Sequence, residues 1–284
     1  MDLNRDGHRD VISGSWPGQL YIFHGQKDKT FKKPVILKDR NGKPIKVGSA
    51  SVVFAADWDN DGDRDLLVGN IKGEIYVIAN ESKSGDPVYS DPVKLQAGGT
   101  DIRTKQGDSA PLVVDWDGDG KLDLLSGAGD GSVVFYRNSG SREKPVFDAA
   151  QILVKASPNR NKKEKVEGPN GSRAKIAVVD WNNDGQLDLL VGDYNSQYTK
   201  VELTREQLDQ RKVAQAAYDK VMVKYRAHSA RRPKRADKEA TAKWSAEFQE
   251  LSKEMRGHRS IMNRFNPVKR SSHGNVWLYL RSGG

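Results

Sequence analysis

Four stretches of nine residues repeat one pattern: an oxygen-bearing side chain at places one, three, five and nine, and glycine at place six. The first supplies Asp2, Asn4, Asp6 and Asp10, and the second Asp57, Asp59, Asp61 and Asp65. The third supplies Asp115, Asp117, Asp119 and Asp123, and the fourth Asp180, Asn182, Asp184 and Asp188. Carboxylate and amide oxygens this dense suit a hard, oxygen-seeking cation, and the glycines (Gly7, Gly62, Gly120, Gly185) permit the sharp turn that wraps one. No histidine or cysteine takes any of the four places, which argues against zinc or copper. Without a cation the loops are costly, because two carboxylates ~4 Å apart repel by roughly 4 kcal/mol at an effective dielectric near 20. The chemistry indicated is calcium binding, at up to four sites.

The same nine residues open an EF-hand, which also needs a bidentate glutamate at the twelfth place and a helix beyond it. Here the twelfth place holds Ser13, Val68, Ser126 and Val191, inside short apolar runs that end in Gly14, Gly69, Gly127 and Gly192. Helical calcium-binding families are excluded. By analogy with how such loops close, place seven (His8, Asp63, Lys121, Gln186) is expected to offer only its backbone carbonyl.

The elements that position these loops follow from their spacing. The loops start 55, 58 and 65 residues apart, a period at which propellers and arrays are built. Within one period, Ser51–Ala56 leads into the loop, Asp65–Gly69 leaves it, Glu74–Ala79 follows a tight turn and Pro92–Leu95 closes the unit. The third period repeats this with 112–114, 123–125, 132–136 and 151–154. Short lengths, β-branched and aromatic residues, and Gly/Asp/Asn punctuation predict strands. Four antiparallel strands per unit make one blade of a β-propeller, so the fold class expected is all-β.

The loop, the Leu-Leu-Val-Gly run behind it and the Gly-x-[Val/Ile/Leu]-[Tyr/Val]-[Val/Phe/Ile]-[Tyr/Phe] strand that follows resemble FG-GAP or VCBS repeats, as in integrin α-chain propellers and bacterial exported proteins. The resemblance covers residues 1–197 and 273–281. It implies that each loop joins the first and second strands of a blade and binds calcium on one rim. Asn4 and Asn182 depart from the aspartate of the pattern, and one charge fewer predicts weaker binding in loops one and four. The first loop has only Met1 before it, and the chain stops after a third-strand run, Val276–Leu280. Further blades and an export signal are therefore expected upstream, in a propeller of about seven blades.

The formal charge of +9 is unevenly placed. Residues 200–272 carry 19 Lys/Arg against 9 Asp/Glu, whereas the rest carries 28 against 29. The basic stretch lies between the second and third strands of the last unit, giving domains at 1–197, 198–272 and 273–284. It reads as a helical hairpin. Thr204 and Gln207 form a capping box, and Leu208, Ala214, Ala217, Tyr218, Val221 and Tyr225 share one face. Pro233 breaks the first helix, and Ala240, Trp244, Phe248, Leu251 and Met255 mark a second that ends at Gly257. The charge is either a solvated face or a surface for an anionic partner; nucleic acid is disfavoured.

The rim opposite the acidic loops receives the blade-to-blade connectors, which are long and basic: 38–48, 96–110, and 155–173 with Arg160, Lys162, Lys163 and Lys165. The candidate binding face there comprises Trp16, Arg103, Asp130 and Tyr194. Three functions stay open: an extracellular, cell-surface or periplasmic module binding a glycan or protein, a lyase-like enzyme on polysaccharide, and a structural partner docking through its insert. The five histidines show no triad or ligand spacing, and no catalytic residue is assigned. The absence of cysteine excludes disulfides and thiolate chemistry, and no stretch is long and apolar enough to span a membrane as a helix. Weak calcium loops fill where calcium is near millimolar, which favours the cell exterior.

Overall fold

The structure is a computed structural model and describes residues 1–82, 85–156, 171–233 and 237–281. It is mostly β, with antiparallel sheets of three or four short strands laid down in chain order, and two helices. The first sheet holds Val11–Ser13 (β1), Tyr21–Phe23 (β2) and Val35–Ile36 (β3). The second holds Val52–Ala56 (β4), Asp65–Gly69 (β5), Ile75–Ile78 (β6) and Val93–Lys94 (β7). A small hairpin, Gln96–Ala97 (β8) with Thr100–Asp101 (β9), occupies the following connector. The third sheet holds Ala110–Val114 (β10), Asp123–Gly127 (β11), Val133–Tyr136 (β12) and Gln151–Val154 (β13). The fourth holds Ser172–Val179 (β14), Asp188–Lys200 (β15) and Val268–Tyr279 (β16).

Register fixes the acidic loops as hairpin connections. Ala56 pairs with Asp65, Val114 with Asp123 and Val179 with Asp188, so in loops two, three and four the ninth residue faces the residue just before the first. In each sheet the neighbouring strands follow one another without a crossover. The acidic hairpins of sheets two and three therefore lie at one edge, and the β5–β6 and β11–β12 turns at the other.

The core lies between consecutive sheets. Leu66, Val68, Ile78 and Tyr89 pack with Leu3, Leu20, Ile22 and Leu37. Leu67 and Ile75 pack instead with Leu124, Val134, Tyr136 and Phe147, and Leu125, Val133 and Phe135 with Ala174, Leu189 and Val191. Successive residues of a strand point to opposite faces, and a sheet with neighbours on both faces must be apolar at both. That is why Leu66, Leu67 and Val68 form an unbroken run, all fully buried. The glycine that ends each run has a packing reason. A Cβ on Gly14, Gly69 or Gly127 would strike the backbone of the next sheet at Ser51, Ser109 or Ala174. Gly192, at the same place in the last sheet, has only Lys175 O at 3.6 Å.

The chain divides into two compact units, Met1–Ser196 with Ser272–Gly284, and Gln197–Ser271. In the second unit, α1 (Arg205–Ala230) starts on the Thr204/Gln207 capping box and α2 (Lys238–Arg264) on Asp237. Their apolar stripes meet: Tyr225 and Phe248 ring centroids are 4.6 Å apart, Trp244 and Phe248 4.8 Å, His228 and Trp244 5.3 Å. Trp244 Nε1 donates to the His228 carbonyl across the pair. α2 does not stop at Gly257 but runs on to Arg264. A helix interior glycine costs ~1 kcal/mol, which packing against α1 outweighs, and Gly257 has open space at its Cβ. Likewise β15 and β16 extend beyond the apolar runs that mark them in sequence: Tyr194 of β15 still pairs with Ser172 of β14, and its hydroxyl lies 2.8 Å from Ser272 Oγ of β16. In the 155–173 connector, Arg160, Lys162, Lys163 and Lys165 lie outside the described residues.

Candidate metal centre

The ninth-place carboxylate makes the same clasp in all four loops. Its Oδ2 accepts from the backbone N–H of the loop's second residue: Leu3 at 2.8 Å, Trp58 at 2.7 Å, Trp116 at 3.0 Å and Trp181 at 2.9 Å. Its Oδ1 accepts from the N–H at the end of the sheet's next strand: Gly25 at 2.9 Å, Asn80 at 2.7 Å, Asn138 at 2.8 Å and Arg281 at 2.8 Å. Asp10, Asp65, Asp123 and Asp188 are all buried. Each thus ties its hairpin to the third member of the strand set while facing the loop interior. Burial pushes Asp65 up to about 6 and raises Asp123 against these amide bonds.

The backbone curls through left-handed conformations at two places. Place six is glycine with φ between 84° and 92°, and place four is also left-handed: Arg5 60°, Asn60 64°, Gly118 78°, Asn183 56°. Place four, unlike place six, has no fixed residue type and was not legible as a special position; asparagine and glycine there tolerate the conformation, and Arg5 holds it under strain.

In loops one, three and four the first carboxylate faces the loop's own amides. Asp2 accepts from Asp6 N (3.1 Å) and Gly7 N (2.9 Å), Asp115 from Asp119 N (3.0 Å) and Gly120 N (2.9 Å), and Asp180 from Asp184 N (3.1 Å) and Gly185 N (3.0 Å). The fifth carboxylate accepts from the amide at place seven: Asp6 from His8, Asp119 from Lys121, Asp184 from Gln186. Asn4 and Asn182 also donate their side-chain amides to Asp6 and Asp184 at 3.0 and 2.9 Å. Donors of this kind favour the charged form, and both Asp6 and Asp184 are held below the usual carboxylate range, Asp6 chiefly by the His8 amide and Asp184 chiefly by Asn182.

Loop two is built differently. Its first carboxylate does not take the amides at places five and six as in the other loops; Asp63 N donates to Asp61 Oδ1 at 3.0 Å. Asp57, Asp59 and Asp61 each direct an oxygen into a group within 4.8 Å. Asp57 Oδ1, Asp59 Oδ1 and both oxygens of Asp63 are buried with no hydrogen-bond partner. Asp63, at place seven, presents not only a backbone carbonyl but a carboxylate that is 6% exposed. Burial, then the charges of Asp61, Asp65 and Asp59, pushes it up to about 7; burial also raises Asp59. Unpartnered buried carboxylates of this number fit a bound cation and are otherwise strongly unfavourable.

Loop three also gathers Asp115, Asp117 and Asp123 within 4.8 Å, but two cations of the protein attend it. Arg137 Nε lies 2.7 Å from Asp117 Oδ2 and its Nη2 3.4 Å from Asp119 Oδ2, while Lys121 Nζ lies 2.9 Å from Asp119 Oδ2. Other arginines hold loop carbonyls. Arg5 donates to Gly62 O at 3.1 Å, Arg142 to Trp58 O at 3.1 Å and Asp57 O at 2.7 Å, and Arg281 to Trp116 O while lying 5.1 Å from that ring's centre. Arg5, Arg142 and Arg281 come from other sheets, at no fixed spacing from the loops they touch, so sequence gave no signal for them.

Of the candidate binding-face residues, Trp16 stands 69% exposed. Tyr194 is also exposed, its hydroxyl 2.8 Å from Ser272 Oγ. Arg103 donates through Nε to Lys72 O at 3.1 Å. Asp130 is buried and caps its own turn, accepting from Ser132 N and Oγ.

The model of the FG-GAP-like repeat matches residues 2–68 and 115–191. Cartilage acidic protein 1 of Xenopus tropicalis is 29% identical over 133 residues, 45% of this chain and 20% of that protein. Its Mus musculus counterpart is 29% identical over 154 residues, 49% of this chain and 22% of that protein. The chain thus spans about a fifth of the length of these curated relatives. A solved structure of a lectin from Agrocybe aegerita, described for recognition of non-reducing terminal N-acetylglucosamine, superposes with a TM-score of 0.40. It is 18% identical, over 72% of this chain and 56% of the lectin. The clasped acidic loop that recurs ahead of four strands and the two matched stretches agree: the chain belongs to the FG-GAP-like repeat family.

Proposed function

We propose that this chain is part of a calcium-stabilised β-propeller that serves as a binding module outside the cell, for a glycan or a protein partner. Loop two carries the metal reading: its four buried carboxylate oxygens without partners need a cation, and an all-oxygen donor set suits calcium. Asp57, Asp59, Asp61, Asp63 and Asp65 would hold the ion in loop two. In the other loops Asp2, Asn4, Asp6 and Asp10, then Asp115, Asp117, Asp119 and Asp123, then Asp180, Asn182, Asp184 and Asp188 would do so, with His8, Lys121 and Gln186 adding backbone carbonyls. Bound calcium supplies charge neutralisation and pins each hairpin; it is a scaffold ion.

The propeller reading is supported by family membership and by cores that alternate between successive sheets of the same strand order. Recognition belongs at the edges opposite the acidic hairpins, where exposed Trp16 offers a ring for stacking on a sugar or side chain. The basic helical unit, residues 198–272, is a second surface suited to an anionic partner. An exterior location is supported by the calcium requirement and by relatives named for cartilage; among the described residues no helix is long and apolar enough to cross a membrane. The test is thermal unfolding with calcium and with a chelator. One site at calcium 100-fold above its dissociation constant adds ~2.7 kcal/mol, so several occupied sites raise the melting temperature by many degrees. An unchanged melt would sink the calcium reading. A glycan array probed with the intact chain and with Trp16→Ala tests the proposed face.

A further inference from the structure

One residue occupies the same place in each sheet, just after the strand that pairs with the one leaving the acidic loop. It precedes the amide that the ninth-place carboxylate clasps, and it is His24, Ala79, Arg137 and Leu280 in the four sheets. This position varies while everything around it repeats. In sheet three it carries a guanidinium that reaches Asp117 and Asp119, two of the residues that would hold a metal. In sheet two it is a methyl group, and in loop two Asp57 Oδ1, Asp59 Oδ1 and both Asp63 oxygens have no hydrogen-bond partner. We infer that Arg137 sets the metal affinity of loop three by standing in for the cation, whereas Ala79, at the same place in sheet two, brings no charge to loop two, where Arg5 and Arg142 are bonded to backbone carbonyls. This rests on the calcium reading above.

Two carboxylates cannot give their oxygens fully to a guanidinium and to a divalent ion at once, and a positive side chain within ~5 Å of the ion repels it. Lys121 adds to the competition at Asp119. The pairs are partly exposed, so solvent reduces the effect to a modest factor. Loop three therefore differs from loop two, although both carry aspartate at all four places. Without metal, Arg137 stabilises loop three; with metal, it opposes binding.

Calcium titration of the intact chain, followed by the amide resonances of Gly62 and Gly120, reads loops two and three separately in one sample. Wild type is expected to saturate at Gly62 before Gly120. Arg137→Gln should tighten the Gly120 midpoint by about three- to tenfold and leave Gly62 in place. Ala79→Arg should weaken the Gly62 midpoint by a similar factor and leave Gly120 in place. A Gly120 midpoint unmoved by Arg137→Gln overturns the inference, as does an equal shift at both glycines. Wild type whose two glycines ignore calcium refutes the calcium reading itself, a distinct outcome. Melting gives a second readout: Arg137→Gln should lose stability in chelator and match wild type in saturating calcium. Equal losses in both conditions would mean that Arg137 is structural only. If Arg137→Gln fails to fold, Ala79→Arg tests the same claim without touching Arg137, and a Gly62 midpoint that it leaves unmoved overturns the inference.

Discussion

Asp63→Asn should stabilise the metal-free protein and weaken the metal-bound one. Asp63 is buried, both its oxygens lack partners, and its carboxyl is pushed from 3.8 up to about 7. In metal-free protein the folded state therefore binds more protons than the unfolded one between those values, and stability falls as pH rises through that window. At ~1.36 kcal/mol per unit, three units amount to about 4 kcal/mol once Asp63 is fully ionised. If relaxation of the loop and entry of water remove half of this, asparagine recovers ~2 kcal/mol, or ~4–8 °C in a unit of this size. The assay is circular dichroism melting in chelator at about pH 4 and about pH 7.5, then in calcium at the higher pH. The gain should appear at the higher pH and vanish at the lower, where wild-type Asp63 is already protonated. In calcium the order should invert, because the variant gives the ion one charge fewer. An Asp63→Asn protein that melts below wild type in chelator at the higher pH would refute the reasoning, as would a gain independent of pH.

Gly69→Ala should destabilise by ~1–3 kcal/mol or more, since the new Cβ meets backbone of the next sheet, whereas Gly192→Ala should be close to neutral. Equal melts for the two variants would contradict that packing. Asp123→Ala should lose ~2–4 kcal/mol in urea unfolding even without calcium, because it leaves the buried amides of Trp116 and Asn138 without an acceptor. Asp123→Asn, which retains one acceptor, should lose less; a loss confined to calcium-containing buffer would mean that the ninth place acts only as a ligand.

The acidic loops were legible because their chemistry is local: nine consecutive residues carry the oxygens, the glycine and the following strand. Strand order was legible for the same reason, since within each sheet every strand pairs with the next in the chain. The double-sided burial of Leu66, Leu67 and Val68 was foreshadowed by an apolar run without alternation. The capping box of α1 is local too, and the structure contains it. The end of α2 was not legible, because packing against α1 outweighs the glycine that marks a stop.

By itself, the sequence determined the family, the antiparallel strand sets, the helical pair and the oxygen chemistry of the four loops. Tertiary structure alone decided how alike those loops are. Loops two and three read nearly identically, yet one holds buried carboxylates without partners and the other is attended by Arg137 and Lys121. It also placed Arg142 and Arg281 on carbonyls of loops from which they are separated by 84 and 165 residues. Electrostatic balance depends on distances between groups that the chain brings together from afar, and periodicity along the sequence carries no record of those distances.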